Sequence, residues 1–160
     1  MRKILNPYPK YPGYNCFGCS PKNENGLKME FSEDGDTIIC DWKPVDFLQG
    51  YYNVLHGGIQ ATLMDEIGSW YIQVKLKTAG VTSSMNVRYL KPVSMVKGNI
   101  NLRASMIKMR RNLVDILVEL YDSDKQLCAK ADITYFTFSQ EVAKKELHYP
   151  DFEEFFNDKS

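Results

Sequence analysis

The sequence has no excess charge of either sign, because 20 Lys and Arg residues balance 20 Asp and Glu residues. This balance gives no broad electrostatic reason to expect a nucleic-acid partner. No stretch approaches the roughly 20 apolar residues that a transmembrane helix needs. Residues 1–10 contain no apolar run typical of a signal peptide, since the pattern breaks at Asn6-Pro7. We therefore expect a cytoplasmic protein without membrane or nucleic-acid partners.

Cysteine and histidine are also scarce, with four and two residues. Cys16 and Cys19 form a C-x-x-C pair, whereas a structural zinc site normally takes four ligands, including a second such pair or two closely spaced histidines. A redox pair would be expected to open a helix, but this pair precedes Ser20-Pro21 and a polar loop. We expect a structural loop with two reduced thiols, no metal and no cofactor, and keep a zinc site as the alternative.

Internal repeats are absent, and 160 residues are enough for one domain with a substantial core. We predict a single domain over residues 1–160, with an extended Pro-rich arm at 1–25 and a tail at 140–160. The tail is expected to carry a short helix near Asp151, packed on the outer surface or frayed. Alternating apolar residues predict an α+β order of two strands, one helix and four strands. The predicted strands are 26–31, 36–42, 82–90, 98–109, 113–121 and 127–138.

The one long helical pattern lies within the stretch from Asn53 to Trp70, which contains His-Gly-Gly near its start. At about 100° per residue, its apolar side chains cluster on one predicted core face. These residues are Leu63, Ile67, Trp70 and Val74, with Ile59 at the edge. Asp65 lies nearly opposite, among small residues and one isoleucine. These neighbours are Gly58, Ala61, Gly68, Ser69 and Ile72. The small-residue face predicts close packing around Asp65, with an ordinary surface carboxylate as the alternative.

The helix start has the components of an oxyanion hole. The first N–H groups of a helix are unpaired, and Gly57 and Gly58 would let a substrate approach the backbone closely. A merely flexible helix start is the alternative. Gly57 and Asp65 are eight residues apart, so they lie roughly 12 Å apart along the helix. One reacting carbonyl cannot contact both, so their joint action predicts a site shared across a two-fold dimer.

The segments FLQGYYNVLHGGIQATLMDE and VTSSMNVRYLKPV resemble hotdog-fold thioesterases of the phenylacetate-pathway and acyl-CoA thioesterase type. The shared pattern is His-Gly-Gly, a small apolar run, an acid nine residues after the His, and a strand ending in Tyr-Leu-x-Pro. The resemblance covers roughly residues 16–138. It implies one antiparallel sheet wrapped around a long central helix. It also implies hydrolysis of an acyl-CoA or related thioester by a homodimer or by a dimer of dimers (a homotetramer).

The resemblance also implies roles for individual residues. Asp65 matches the catalytic carboxylate, as general base or nucleophile, and Gly57 matches the oxyanion donor. His56 matches the histidine at the helix start, and Thr82 the residue that helps to hold the attacking water. Many members place an Asn where this chain has Gly50, which puts the ground-state contact to the thioester in question. The expected substrate-binding residues are Asn53, Gly58, Ser83, Arg88, Arg110 and Arg111.

Two further points stay open at this stage. The basic tip around Arg110 and Arg111 is either a phosphate contact for coenzyme A, with Arg88 and Lys91 as further candidates, or a solvated turn. The second point is whether the domain hydrolyses its ligand. A hotdog protein that only binds acyl-CoA or another apolar ligand is the alternative, and Gly50 favours it slightly. A hydratase would need an Asp and a His placed differently.

Overall fold

Alternating apolar side chains build a seven-stranded antiparallel sheet in the computed structural model, which describes residues 1–156. The strands are β1 (Arg2–Ile4), β2 (Phe31–Asp34), β3 (Thr37–Trp42), β4 (Gly80–Tyr89), β5 (Ile100–Arg110), β6 (Leu113–Tyr121) and β7 (Leu127–Thr137). Their order across the sheet is β1-β2-β3-β5-β6-β7-β4. The long helix α1 (Gly57–Lys75) packs across β3 to β7, and α2 (Gln140–Leu147) follows the last strand. The predicted α+β hotdog architecture is confirmed.

Helix α1 buries the face that its apolar periodicity predicts. The nearly inaccessible residues of this face are Leu63, Ile67, Trp70 and Val74. On the opposite side, Gly68 and Ile72 are buried, whereas Asp65 stays partly exposed. Among the small residues predicted to be closely packed around Asp65, Gly68 is thus covered by other parts of the protein. No helix among residues 1–156, α1 included, is long and apolar enough to span a membrane.

The first hairpin differs from the prediction in its position along the chain. The sequence predicts a strand over 26–31 and a turn over 32–35, whereas β2 covers Phe31–Asp34 and the turn is Gly35-Asp36. Gly35 has a positive φ of 57°, which suits a tight hairpin turn. The side chains predicted to point inward are nevertheless buried. These are Leu27, Met29 and Phe31. The four later strands match their predicted limits to within two residues.

The N-terminal arm contributes a strand that the sequence did not indicate. Strand β1 pairs antiparallel with β2, with Ile4 opposite Phe31, and so extends the sheet at one edge. Further along the arm, the Tyr8 ring stacks on Tyr14 and meets the Trp70 ring edge-on. The arm therefore covers the C-terminal half of α1 and belongs to the core.

The tail is also part of the core, which corrects the expectation of a surface or frayed segment. Its short 3-10 helix begins after Asp151 as predicted, and the Asp151 N–H donates to the Glu154 carboxylate. Phe155 is fully buried and meets Trp70 edge-on, with 5.8 Å between the ring centroids. The backbone N–H of Leu5 donates to the Phe155 carbonyl and so joins tail to arm. Residues 157–160 of the predicted tail lie outside the described residues.

Candidate active site

The start of α1 is ordered by His56. As the residue that caps the helix, His56 accepts the Gly58 N–H on its Nδ1 atom at 2.9 Å. The His56 N–H in turn donates to the Leu48 carbonyl at 3.0 Å. The Gly58 N–H is thus already used, whereas Gly57 is the first helical residue and its N–H lies ahead of the intrahelical hydrogen bonds. Gly57 is therefore the donor that this helix start offers to a ligand.

A cavity of about 760 Å³ opens at this helix start. Gly50, Gly57 and Lys91 all line it. Gly50 packs against His56, so that a Cβ at Gly50 would lie 3.4 Å from the His56 Cα atom. Asn53 is not among the cavity-lining residues described, and its carbonyl accepts the Met95 N–H in a neighbouring turn. The substrate-binding role of Asn53, as a substitute for the asparagine that Gly50 replaces, stays a prediction.

Two residues at this cavity were not predicted from the sequence. Gln60 is 4% exposed, and its side-chain nitrogen donates to the Leu55 carbonyl at 3.0 Å. Its side-chain oxygen is buried and has no hydrogen-bond partner within residues 1–156. A buried acceptor left unpaired costs about 1–3 kcal/mol, so a ligand N–H or O–H would stabilise it. The Tyr89 hydroxyl donates to the Gly57 carbonyl at 2.7 Å and fixes the helix start from the β4 side.

Asp65 is held by two hydroxyl groups. The Thr82 hydroxyl donates to Asp65 Oδ1 at 2.7 Å, and the Tyr135 hydroxyl lies 2.9 Å from Oδ1 and 2.7 Å from the Asp65 carbonyl oxygen. Burial, and then the Asp65 charge, raise the pKa of Tyr135 well above its usual value, so the phenol stays protonated. Because both contacts to the carboxylate involve Oδ1, Oδ2 keeps its capacity to accept a proton or a water hydrogen. Tyr135 is a positioning residue that the sequence pattern did not single out.

Gly68 makes room for Tyr135. A Cβ atom at Gly68 would lie 2.3 Å from the Tyr135 hydroxyl oxygen, which is inside any acceptable contact distance. Gly68 follows Asp65 by three residues, so the two share a side of the helix. Because Gly68 has no side chain, the Tyr135 ring can lie close enough to the helix for its hydroxyl to contact the Asp65 carboxylate.

A β-bulge brings Thr82 to the helix side of β4. Strict alternation along the strand would place Thr82 on the face opposite Met85, Val87 and Tyr89, but the β4–β7 register shifts between Thr82 and Ser84. The additional residue reverses the alternation, so Thr82 and Tyr89 both reach α1. The candidate Ser83 lies in this bulge and is exposed.

Within one protomer, the two parts of the candidate site stay apart. Gly57 and Asp65 lie on the same helix, roughly 12 Å apart along its axis. Both lie beside β4, which is at the edge of the sheet and pairs only with β7 among residues 1–156. Every residue of β4 is at least partly exposed. One protomer thus offers a donor and a carboxylate along a sheet edge that is open for pairing.

The basic candidates are spread over both ends of the sheet. Arg88 pairs with Asp132 at 3.5 Å, and Arg110 pairs with Asp115 at 3.1 Å. Arg111 occupies the β5–β6 turn with a positive φ of 57°. This turn adjoins the Gly80 end of β4, because Leu113 and Gly80 pair with adjacent residues of β7. Arg110 and Arg111 are therefore at the end of β4 opposite the helix start, whereas Lys91 lines the cavity there.

Residues 52–129 match the family model of the thioesterase superfamily. A protein of Saccharolobus solfataricus named as an esterase is 30% identical over 95 residues, which are 59% of this chain and 62% of that protein. Human acyl-coenzyme A thioesterase 13 is 30% identical over 84 residues, which are 52% of this chain and 59% of the human protein. This chain therefore aligns with less than two thirds of either relative's length.

Among solved structures, a thioesterase from Haemophilus influenzae superimposes with a TM-score of 0.65 at 26% identity. The superposition covers 71% of this chain and 80% of the Haemophilus chain. These likenesses agree with the site built above, because the matched segment contains both the helix start and the carboxylate.

We predict that Gly68→Ala destabilises the protein by about 1–3 kcal/mol, because the added methyl group collides with the Tyr135 hydroxyl. Alanine favours a helix over glycine by about 1 kcal/mol, so a simple propensity effect would have the opposite sign. Urea unfolding measures the change in free energy.

Ser69→Ala, one residue further along α1, is the control and should change the free energy of unfolding by less than about 0.5 kcal/mol. In a Tyr135→Phe background, the cost of Gly68→Ala should fall, because the closest colliding atom is gone. A stabilising Gly68→Ala would contradict the packing described here.

Proposed function

The chain belongs to the hotdog-fold thioesterase superfamily, and we propose that it hydrolyses an acyl thioester of coenzyme A. The observation that carries the proposal is the Asp65 carboxylate, oriented on a helix face by Thr82 and Tyr135. A protein that only binds its ligand has no need for a carboxylate held in this way. The acyl-CoA thioesterase name of the human relative supports the choice of substrate class.

We propose that two protomers share each site. Pairing of two β4 edges about a two-fold axis would set the two α1 helices side by side and antiparallel. Gly57 of one protomer would then approach the partner's Asp65, which a single protomer cannot achieve. The unpaired β4 edge and its exposed residues support this arrangement. A dimer of dimers is compatible with the same pairing.

In the proposed reaction, the thioester carbonyl oxygen accepts the Gly57 N–H, where the helix N-terminus stabilises the developing negative charge. Asp65 of the facing protomer then acts in one of two ways. As a general base, it takes a proton from water as the water attacks the carbonyl carbon. As a nucleophile, it forms an anhydride that water hydrolyses afterwards. In both cases the coenzyme thiol leaves with a proton and the acyl group leaves as a carboxylic acid.

The substrate is proposed to lie along the helix start. The cavity beside Gly57 has the volume of a small-molecule site, and Gln60 is among its lining residues. Lys91 at its rim would meet phosphate groups of the coenzyme. Arg110 and Arg111 would reach the same site only from the partner, since they lie at the opposite end of β4. A cytoplasmic location, where coenzyme A thioesters are available, stays a prediction.

The second candidate function is binding of acyl-CoA without hydrolysis. Gly50 favours it, because the position lines the cavity but has no side chain to contact a thioester. Gln60 offers a polar group at the same cavity from the other side, and this weakens the argument for a pure binder. Release of free thiol from acetyl, medium-chain, long-chain and aromatic acyl-CoA substrates distinguishes the two functions.

We predict that Asp65→Asn lowers kcat by at least about 10²-fold, because the amide can neither accept the proton nor attack the carbonyl carbon. Release of free thiol from acyl-CoA measures turnover. Asp124→Asn, in an exposed turn where Asp124 pairs with Lys97, is the control and should retain wild-type activity. Both variants should keep the wild-type circular dichroism and oligomeric state. An active Asp65→Asn protein would eliminate Asp65 as the catalytic residue.

We also predict that two inactive variants restore one site when they are combined. Gly57→Val should block the helix start, and Asp65→Asn removes the carboxylate. A heterodimer isolated through two different affinity tags would contain one site with both groups intact. Its turnover should be about half that of the wild-type dimer.

The control heterodimer pairs wild-type protein with a chain that carries both substitutions. Shared sites predict that it is inactive, because each site then lacks one group. Sites contained within single protomers predict about half activity for this control and none for the first heterodimer. The two arrangements therefore give opposite results in the same pair of proteins.

We predict that Arg110→Ala/Arg111→Ala raises KM for acyl-CoA several-fold, with kcat within about twofold of wild type, because phosphate contacts add binding in the ground state. Steady-state kinetics measure both constants. Lys144→Ala/Lys145→Ala removes the same number of charges from α2 and is the control. An unchanged KM in the Arg variant would exclude the contact and leave Lys91 as the basic candidate at the cavity.

A further inference from the structure

Glu66, the residue after Asp65, reaches the C-x-x-C loop on another side of α1. The Cys16 sulfur lies 3.6 and 3.8 Å from the two Glu66 carboxylate oxygens. One ligand atom from each of Cys16, Cys19 and Glu66 lies within 4.8 Å of the other two. The fold thus brings Cys16 and Cys19, which are distant in sequence from Glu66, next to its carboxylate.

We infer that Cys16, Cys19 and Glu66 bind a divalent transition-metal ion of borderline softness, for which Zn²⁺ is the best match. Zinc takes thiolate and carboxylate ligands at about 2.0–2.3 Å in a tetrahedral arrangement. Ligand atoms in such a site lie about 3.3–3.8 Å apart, which the 3.6 Å contact between Cys16 and Glu66 already matches. The sequence indicated a loop of reduced thiols without metal, because spacing along the chain could not reveal the third ligand.

The loop is shaped around the carboxylate. A Cβ atom at Gly18, between the two cysteines, would lie 2.4 Å from the Glu66 carboxyl carbon. A side chain at this position would displace the Glu66 carboxylate from its present place beside the loop. The loop backbone is fixed from both sides, since Leu27 N–H donates to the Phe17 carbonyl and Met29 N–H to the Gly18 carbonyl. The three ligands are therefore presented by a fixed loop and a fixed helix.

Outer contacts orient the ligands as they do in known metal sites. The Trp70 ring N–H donates to Glu66 Oε1 at 3.1 Å, which leaves Oε2 for an ion. The Tyr14 hydroxyl lies 3.0 Å from the Cys19 sulfur. These contacts reduce the freedom of the carboxylate and of one thiol before any ion binds.

The cluster lacks a basic partner in the part of the chain described. The ion pairs formed among residues 1–156 do not include Glu66. Buried acidic groups are normally paired with a cation or bound to a metal, so a divalent ion would supply the missing charge.

A three-ligand site leaves one position of a tetrahedral ion open. All three ligands line a cavity of about 490 Å³ between the N-terminal arm and α1. Tyr8, Ser69 and Gln73 line the same cavity. The fourth position would therefore face a largely apolar cavity with a few polar lining groups, where a water or a small ligand could complete the tetrahedron, and the ion would join the arm to α1.

The test uses the full-length reduced protein, freed of metal with a chelator and titrated with Zn²⁺ and with Co²⁺. We expect one ion per chain, a thiolate-to-cobalt charge-transfer absorption, and a higher unfolding temperature with Zn²⁺. Cys16→Ser and Glu66→Gln should each weaken Zn²⁺ binding by at least about tenfold. Gly18→Ala should do the same without removing a ligand, because it displaces Glu66.

The control for thiol loss is Cys128→Ala, a buried β7 cysteine outside the cluster, which should bind Zn²⁺ as the wild type does. Circular dichroism of each metal-free variant separates loss of a ligand from loss of the fold. Asp65→Asn should also bind Zn²⁺ normally, so this test does not depend on the proposed hydrolysis.

Three results would overturn the proposal. The first is no Zn²⁺ binding to the folded wild-type protein, and the second is undiminished binding in the Cys16 and Glu66 variants. The third is a wild-type protein that does not bind Zn²⁺ but is oxidised by glutathione disulfide, which forms a Cys16–Cys19 disulfide and releases two molecules of reduced glutathione. This result would make the pair a redox couple.

Discussion

The fixed rise of one helix is the constraint on which the site depends. Gly57 and Asp65 are both on α1, and a regular helix keeps them roughly 12 Å apart whatever the surroundings do. Different side chains fix the helix start at Gly57 and the Asp65 carboxylate. Tyr89 and His56 hold the helix start, while Thr82 and Tyr135 hold the carboxylate. A rigid helix that holds a donor at its start and a carboxylate near its middle can contribute to two separate sites. This is the physical basis for proposing that a dimer is the active form.

The rigidity of α1 comes from what covers it. Trp70 stacks on Phe31 of β2 and meets Phe155 of the tail, while Tyr8 of the arm contacts the same ring. Segments from both ends of the chain thus converge on one indole at the C-terminal half of the helix. Because large-to-small changes in such a cluster cost about 3–5 kcal/mol, the arm and the tail contribute to the stability of the helix.

Apolar periodicity was sufficient to predict the long helix and the four later strands, but not β1, the limits of β2 or the geometry around Asp65. Both limits of the strand over 113–121 were predicted correctly, because its buried and partly exposed side chains alternate without interruption. The bulge near Ser83 was not predictable, because an extra residue in a strand leaves no compositional mark, and it moved Thr82 to the other face. Gln60 and Tyr135 were also missed, since a polar side chain facing a cavity and an interior tyrosine look the same as ordinary core residues in a linear sequence.

Two adjacent acids give the clearest case of what folding adds to the sequence. Asp65 and Glu66 are chemically alike, and about 100° of helical rotation sends them to different surroundings. Asp65 meets two hydroxyl donors beside the open β4 edge, whereas Glu66 meets two thiols and an indole under the N-terminal arm. The same helix therefore supplies the carboxylate that we propose for catalysis and the carboxylate that we propose as a ligand of a cation. Any movement of α1 that reoriented one carboxylate would also displace the other, so an ion bound at Glu66 would help to fix the position of Asp65.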